Sequence, residues 1–304
     1  MEKTLTFATR PSALARRQTD LVIGRLQNAW TNLRCRTETI TTRGDRVLDR
    51  PLPEIGGKGL FTLELEEALL DGRVDLAVHS LKDLPTEDTP GLAVGAIPER
   101  ADARDAWICP AGFSLEGAPA GASVGTSSLR RSAQLLARRP DLDVRPIRGN
   151  VDTRLRKVRE GQYDAIVLAA AGLSRLDLAG QITATLPLDV MLPAPGQGAL
   201  AVQCRADDAE TLAFLASIED PAARRATAAE RAFLHALGGG CSLPAGAHAI
   251  TGDDLVALTV VVLSPGGEHR IDLRGRDRDP IALGTSLAEK ALAQGAAELF
   301  EAVP

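Results

Sequence analysis

Aromatic residues make up only 3% of this chain: six Phe, two Trp and one Tyr. So thin a supply gives few platforms on which bases could stack. With a net charge of -5 and a pI near 5.5, the chain also lacks the basic footprint of a nucleic-acid binder. Long hydrophobic runs are missing too. The best of them, Ala165 to Leu173 and Leu255 to Leu263, are far shorter than a bilayer requires, and the N-terminal MEKTLTFATRPSALARRQ has no apolar signal-peptide core. The expectation is a soluble, cytoplasmic protein with no membrane partner. Cys35, Cys109, Cys204 and Cys241 are widely scattered with no C-x-x-C pair, which argues against a disulfide framework and a zinc site. His79, His235, His248 and His269 are equally dispersed, so no metal is expected.

Lysine is the last scarcity. Lys3, Lys58, Lys82, Lys157 and Lys290 are all there are among 35 basic residues. The remainder is arginine, the side chain that takes carboxylate or phosphate in a two-pronged fork. Ten basic residues, nine of them arginine, lie between Leu129 and Glu160 against only Asp141, Asp143, Asp152 and Glu160. A solvated helix face accounts for part of so basic a stretch inside an acidic protein, and carboxylate or phosphate binding for the rest.

A chain of 304 residues can hold two or three domains. Its first hundred residues alternate strand signals (4–8, 35–42, 74–78) with helix signals (12–26, 60–70). Between them, 43–59 is a long polar, glycine-rich loop of the kind that is functional or mobile. A second unit begins near Ala101, with strands over 122–126, 142–147 and 163–170 and helices from Leu129 and over 152–160. This alternation predicts mostly parallel sheets covered by helices. Leu192 to Gly198, LPAPGQG, reads as a hinge before a strand at 199–204. Asp220-Pro221 opens a helix to Leu237. A hairpin then turns on SPGG between 255–263 and 269–275, and a helix from Leu287 follows Ser286 with Glu289 in capping-box position. The fold class is α/β: two α/β domains and a smaller α+β domain.

Several stretches conflict with local rules or sit where ligands bind. In VGTSSLRRSAQ (124–134), Thr126, Ser127 and Ser128 lead from a strand into a helix start, a natural anion cradle. Arg130 and Arg131 occupy its first turn, where cations oppose the helix dipole. Either an anion binds there or the arginines pair with acidic neighbours. HSLKDLP (79–85) places Ser80, Lys82 and Asp83 beyond the carboxyl end of a strand, where open α/β sheets bind ligands. Asp83 suits a developing positive charge, or is a turn residue beside Lys82. Arg10-Pro11-Ser12, Arg148 and Arg154 in RGNVDTRLRK, and Ser174-Arg175 repeat the strand-end placement. In LGGGCSLPAG (237–246), Cys241 is either a packed small hydrophobe or a thiol left open for attachment.

VGTSSLRR, HSLKDLP, IRGNVDTRL, LPAPGQGAL and GGGCSLPAG, in this order and spacing, closely resemble the porphobilinogen deaminase (hydroxymethylbilane synthase) family over nearly the whole chain, least after Thr251. The resemblance implies two periplasmic-binding-protein-like α/β domains around a cleft, 1–98 with 198–217 and 99–197, plus a C-terminal α+β domain, 218–304, carrying the cysteine loop. It implies a transferase that joins four porphobilinogen molecules into the linear tetrapyrrole 1-hydroxymethylbilane, releasing ammonia; nothing in the sequence demands more than a monomer, which is the expectation. Growth would start on a dipyrromethane cofactor held by a thioether to Cys241, the glycines giving the link room. Asp83 matches the catalytic carboxylate, facing an azafulvenium cation as electrostatic stabiliser, proton acceptor or both. Ser80, Lys82, Thr126, Ser128, Arg130, Arg131 and Arg154 match cofactor-binding positions. Arg10, Ser12, Arg148, Arg175 and Gln197 match substrate-binding positions, and Lys58 and Phe61 match a loop that covers the site. Ser242 and His248 depart from the glutamine and tyrosine expected there.

Two other classes fit parts of the pattern. Two α/β lobes also describe solute-binding and effector-sensing proteins, which need neither Cys241 nor Asp83. The 129–160 cluster alone would suit nucleic acid, against which the scarce aromatics and acidic pI argue.

Overall fold

The computed structural model describes residues 3–46, 59–238 and 243–301. The chain divides into two compact units, Met1–Ala101 with Ala199–Arg224, and Asp102–Gly198 with Arg225–Pro304.

The first unit is built on a five-stranded sheet. Its order is Leu33–Thr39 (β2), Lys3–Thr9 (β1), Leu76–Ser80 (β3), Leu200–Arg205 (β10) and Leu92–Ala96 (β4). Alternation along β1 and β3 sends Leu5, Phe7, Leu76 and Val78 to one face, against Val22 and Leu26 of helix Ala13–Ala29 (α1). Ala8 and Ala77 face the other way, against Leu65, Ala68 and Leu69 of helix Leu63–Leu70 (α3). Arg43–Arg46 forms one short helical turn (α2), and Ala209–Ala216 (α7) completes the helices that lie wholly in this unit.

The second unit contains two sheets. The five-stranded one runs Asp143–Arg145 (β7), Ser123–Gly125 (β6), Ala165–Ala169 (β8), Asp105–Ile108 (β5) and Ala184–Thr185 (β9). Helices Leu129–Arg138 (α4), Val151–Arg159 (α5) and Ala170–Arg175 (α6) accompany it, with Trp107, Leu135 and Val167 in one cluster and Ile108, Leu155 and Ile166 in another. The second sheet is antiparallel: Ala245–Thr251 (β11), Val256–Leu263 (β12) and Arg270–Asp277 (β13). Helix Pro221–Ala236 (α8), through Phe233, and helix Pro280–Ala293 (α9), through Leu283 and Leu287, close its core. Ala296–Glu301 (α10) follows.

Strands β4, β5 and β9 and helix α7 had no counterpart in the sequence expectation, and three further features differ from it. Both five-stranded sheets are mixed: β10 runs antiparallel to β3 and β4, and β5 antiparallel to β8 and β9. Each is the first strand after the chain crosses from one unit to the other, so no βαβ crossover dictates its direction. Helix α9 starts at Pro280 instead of Leu287, because Asp279 Oδ1 caps it by accepting from the amides of Ile281 and Ala282. Gly284 in its interior is not a break. A Cβ there would stand 2.3 Å from the Ala229 carbonyl, so glycine permits a close approach to α8. The expected hairpin has a third strand, β11, whose small residues gave no alternating signal.

A polar network crosses the α3 face of the first sheet. The Gln203 amide donates to Glu66 (3.0 Å), and its oxygen lies 3.1 Å from His79 Nε2, which therefore carries the proton. All three side chains are buried. Burial pushes the His79 pKa down to about 4, against the Gln203 hydrogen bond and with help from the Arg10 charge. Between about pH 6.5 and 4 the unfolded chain binds a proton that the folded one refuses. Stability should therefore fall with pH across that window, by roughly 3 kcal/mol in all. Urea unfolding at successive pH values should show this slope in the wild type and its loss in His79→Gln; parallel curves for the two would refute it.

Candidate active site

In the first unit the candidate residues gather at the carboxyl ends of neighbouring parallel strands β1 and β3. Past Ser80 the chain makes one 3-10 turn, Leu81–Asp83, pinned by the buried Leu81 side chain and by its amide on the Ala199 carbonyl (3.1 Å). The turn leaves Lys82 half-buried and Asp83 exposed. No hydrogen bond or ion pair holds the Asp83 carboxylate among the described residues. Ser80 Oγ accepts from the buried Gln18 amide (2.9 Å). Ser12 caps α1, its hydroxyl accepting from the Ala15 amide (3.2 Å). Arg10 lies between strand and helix. Its Nε (3.2 Å) and Nη2 (2.5 Å) donate to Asp45, and the Phe61 ring covers its face at 4.2 Å. Lys58 lies outside the described residues.

In the second unit the strand ends of β6, β7 and β8 play the same part. Thr126 is buried, and its hydroxyl accepts from the Ser128 amide (3.2 Å); Ser128 in turn caps α4. The next turn carries Arg130 and Arg131, 4% and 6% exposed, around the fully buried Asp105. Arg131 grips Asp105 Oδ1 through Nε (3.0 Å) and Nη2 (2.7 Å), and its Nη1 reaches the Val167 carbonyl (3.1 Å). Arg130 Nη1 donates to Asp105 Oδ2 (2.7 Å) and to the Leu192 carbonyl (2.6 Å). Gln134 also donates to Leu192 O (3.0 Å) and accepts from Leu192 N (2.8 Å), fixing that segment.

Of the two readings open for this pair, ion pairing is therefore present, yet it does not exhaust Arg130. Its Nε is buried with no hydrogen-bond partner among the described residues. An unsatisfied donor in that position costs about 1–3 kcal/mol or more for a charged group, so it marks where an acceptor belongs. Nε and Nη2 form one edge of the guanidinium, the width of a carboxylate. Burial opposes ionisation of Asp105, but the Arg130 and Arg131 charges overcome it and hold the carboxyl far below the usual range. Burial lowers the Arg130 pKa, and Asp105 counters it.

Gln197 is fully buried and donates to Asp105 Oδ1 (2.9 Å) and the Ala103 carbonyl (2.8 Å). Gly196 and Gly198 flank it at φ 75° and 88°, a left-handed conformation that lets the segment turn the amide inward. Gly196 N donates to the buried Glu230 (2.7 Å), whose other oxygen takes Ala249 N (2.8 Å). Arg154 Nε donates to the Gly149 carbonyl (2.8 Å), and Arg175 Nη2 to the Gly198 carbonyl (2.7 Å). Arg148 is half-buried and takes the Lys157 ammonium on its carbonyl (3.3 Å). Cys241 and Ser242 lie outside the described residues.

Five residues escaped the sequence reading: Asp105, Asp45, Gln18, Gln134 and Glu230. Only Asp105 left a trace, as a charge opening the apolar run DAWIC. Among the described residues no group of three His, Cys, Asp or Glu could hold a metal, and no helix is long and apolar enough to cross a membrane.

Comparison with known proteins converges with this geometry. The family model "Porphobilinogen deaminase, dipyromethane cofactor binding domain" matches residues 5–213, and "Porphobilinogen deaminase, C-terminal domain" matches 225–293. A porphobilinogen deaminase of Roseiflexus sp. strain RS-1 is 53% identical over 301 residues, 99% of each chain. One of Brevibacillus brevis is 50% identical over 296 residues, 97% of this chain and 96% of the relative. Among solved structures, the BenM effector-binding domain with benzoate covers 72% of this chain and 91% of its own at TM-score 0.44 and 15% identity. With matches that run the length of the chain at about half identity, the arginine-bearing strand ends have one family context: this chain belongs to the porphobilinogen deaminase family.

Proposed function

We propose that this chain joins four porphobilinogen molecules head to tail into 1-hydroxymethylbilane, with Asp83 as its catalytic carboxylate and a covalent dipyrromethane as its primer. The observation that carries the reading is the open, buried edge of Arg130, a ready seat for one carboxylate of a ligand rich in acid groups. The residues present fit such a group. Arg130, Arg131 and Arg154, with Thr126, Ser128, Ser80 and Lys82, would hold the dipyrromethane acids, and Cys241 would supply the thioether. When bound, the group supplies the free pyrrole carbon on which the product grows.

The substrate acids fall to Arg10, Ser12, Arg148, Arg175 and Gln197. Arg10 and Arg175 donate directly, while Ser12 and Gln197 orient the backbone and charges around them. When ammonia leaves porphobilinogen, the carbon–nitrogen electron pair departs with nitrogen and positive charge spreads over the pyrrole. Asp83 is exposed and has no partner among the described residues, so its charge can face that cation. It stabilises the cation electrostatically, and it can take the proton lost when the new carbon–carbon bond restores aromaticity. Lys58 and Phe61 are assigned to the segment covering the substrate. The reading includes a cytoplasmic monomer in three domains, 1–98 with 198–217, 99–197, and 218–304. The separate core of each sheet supports that partition.

The intact mass of the purified protein should exceed the sequence mass by one dipyrromethane, and Cys241→Ser should abolish the excess; an unmodified active wild type would contradict the anchor. Asp83→Ala should fold and keep the added mass but turn over porphobilinogen about 10³-fold more slowly. Near-normal turnover would remove Asp83 from the chemistry. Asp105→Asn, which leaves two buried guanidiniums without their counter-charge, should lower the unfolding free energy by about 3 kcal/mol, read from the urea midpoint; an unchanged midpoint would show the triad to be dispensable.

A further inference from the structure

Arg10 is held unlike a surface arginine. Asp45 takes the edge formed by Nε and Nη2, bidentate, and the Phe61 ring covers one face of the plane. Asp45 is itself fixed, since its Oδ2 accepts from the Thr42 amide (3.1 Å) and hydroxyl (2.8 Å). The backbone closes around the group, with Gly44 N donating to Leu60 O (3.0 Å) and Arg43 N to Glu64 Oε1 (2.7 Å). Gly44 has no side chain because a Cβ there would meet the Phe61 ring at 2.2 Å. Two edges of a guanidinium can serve two carboxylates. Here one edge is used, and the other, Nη1 with the outer hydrogen of Nη2, has no partner among the described residues. The side chains remain accessible, Arg10 at 24% and Asp45 at 12%.

We infer that Asp45 is a positioning residue for the reaction: it fixes the Arg10 plane so that the outer edge presents a preformed fork to a substrate carboxylate. The inference rests on the reading that Arg10 binds such a carboxylate. Asp45 is not a competitor for that carboxylate, because the two occupy different edges. Its worth is in orientation, since an arginine free to rotate loses entropy on binding that this one has already lost. Thr42 and Phe61 act through the same group, one on the acid and one on the plane. Lysine could not replace Arg10, having no second edge.

The test uses holoenzyme variants whose added mass has first been verified. Asp45→Asn places an amide NH2 against the guanidinium donors and breaks the bidentate grip. It should raise KM for porphobilinogen about tenfold with kcat within about twofold. Phe61→Leu should move KM the same way by a smaller factor, and it serves, with Thr42→Val, if Asp45→Asn does not fold. In an Arg10→Leu background, Asp45→Asn should add nothing to the KM already raised, because its effect passes through Arg10. An equal further rise there would overturn the inference, assigning Asp45 a general structural role. A KM that falls or stays unchanged in Asp45→Asn, with KM raised in Arg10→Leu, would overturn it too while leaving the Arg10 reading intact. An unchanged KM in Arg10→Leu would defeat the underlying reading itself.

Discussion

Two guanidinium groups kept charged almost out of reach of water set the terms for the second unit. Arg130 and Arg131 stand in the first turn of a helix whose dipole disfavours them, each less than a tenth exposed. Desolvating such groups costs several kcal/mol apiece unless partners are in place. Asp105 supplies one counter-charge to both, and the Leu192 and Val167 carbonyls supply further acceptors. One positive charge is left over, with one edge of Arg130 unfilled among the described residues. The cluster thus keeps a net positive charge in a fixed arrangement that Gln197, Gln134 and Glu230 help to hold, which is what the proposed anion site requires.

The first unit solves a similar problem on the surface. Arg10 is gripped by an aspartate on its Nε–Nη2 edge and left open on the other; Arg130 is gripped through Nη1 and left open on the Nε side. In both, an aspartate absorbs part of the charge and fixes the plane while a second edge stays available. Only arginine permits this division, because its donors lie in a rigid plane with separate edges. The scarcity of lysine in the sequence acquires a structural counterpart: a compact ammonium cannot be oriented by one acid and offered to another.

How much of this could be read beforehand depended on whether the signal was local. Strand-to-loop-to-helix junctions are local, so Arg10, Ser80, Asp83, Thr126 and Arg130 were placed at strand ends by pattern alone. Asp45 and Asp105 were not, since their meaning comes from arginines 35 and 25 residues away. Strand direction failed for β10, and β5 escaped altogether, for the same reason: both begin where the chain passes between units, a relation that periodicity does not carry. The start of α9 was marked by Asp279-Pro280, the same capping pair as Asp220-Pro221, and went unread; Gly284 lies inside the helix where α8 comes close.

The acids of the molecule separate by duty. Asp45, Asp105 and Glu230 are committed to arginines or backbone amides, and the grip lowers the carboxyl of Asp45 below its usual range despite burial, which works the other way. Among the acids of the candidate site Asp83 differs: it is carried on the turn pinned by Leu81 and bonded to nothing described. A carboxylate meant to answer a transient cation must be unpaired at rest, since any standing partner would have to be displaced when the charge appears, raising the barrier it is there to lower. A guanidinium meant to hold a permanent anion gains from the opposite treatment, because its orientation is fixed before the ligand arrives. In the reaction proposed above, fixed arginines and a free aspartate are therefore two requirements of one chemistry, in which the negative charges of the substrate persist throughout and the positive one exists only in passing.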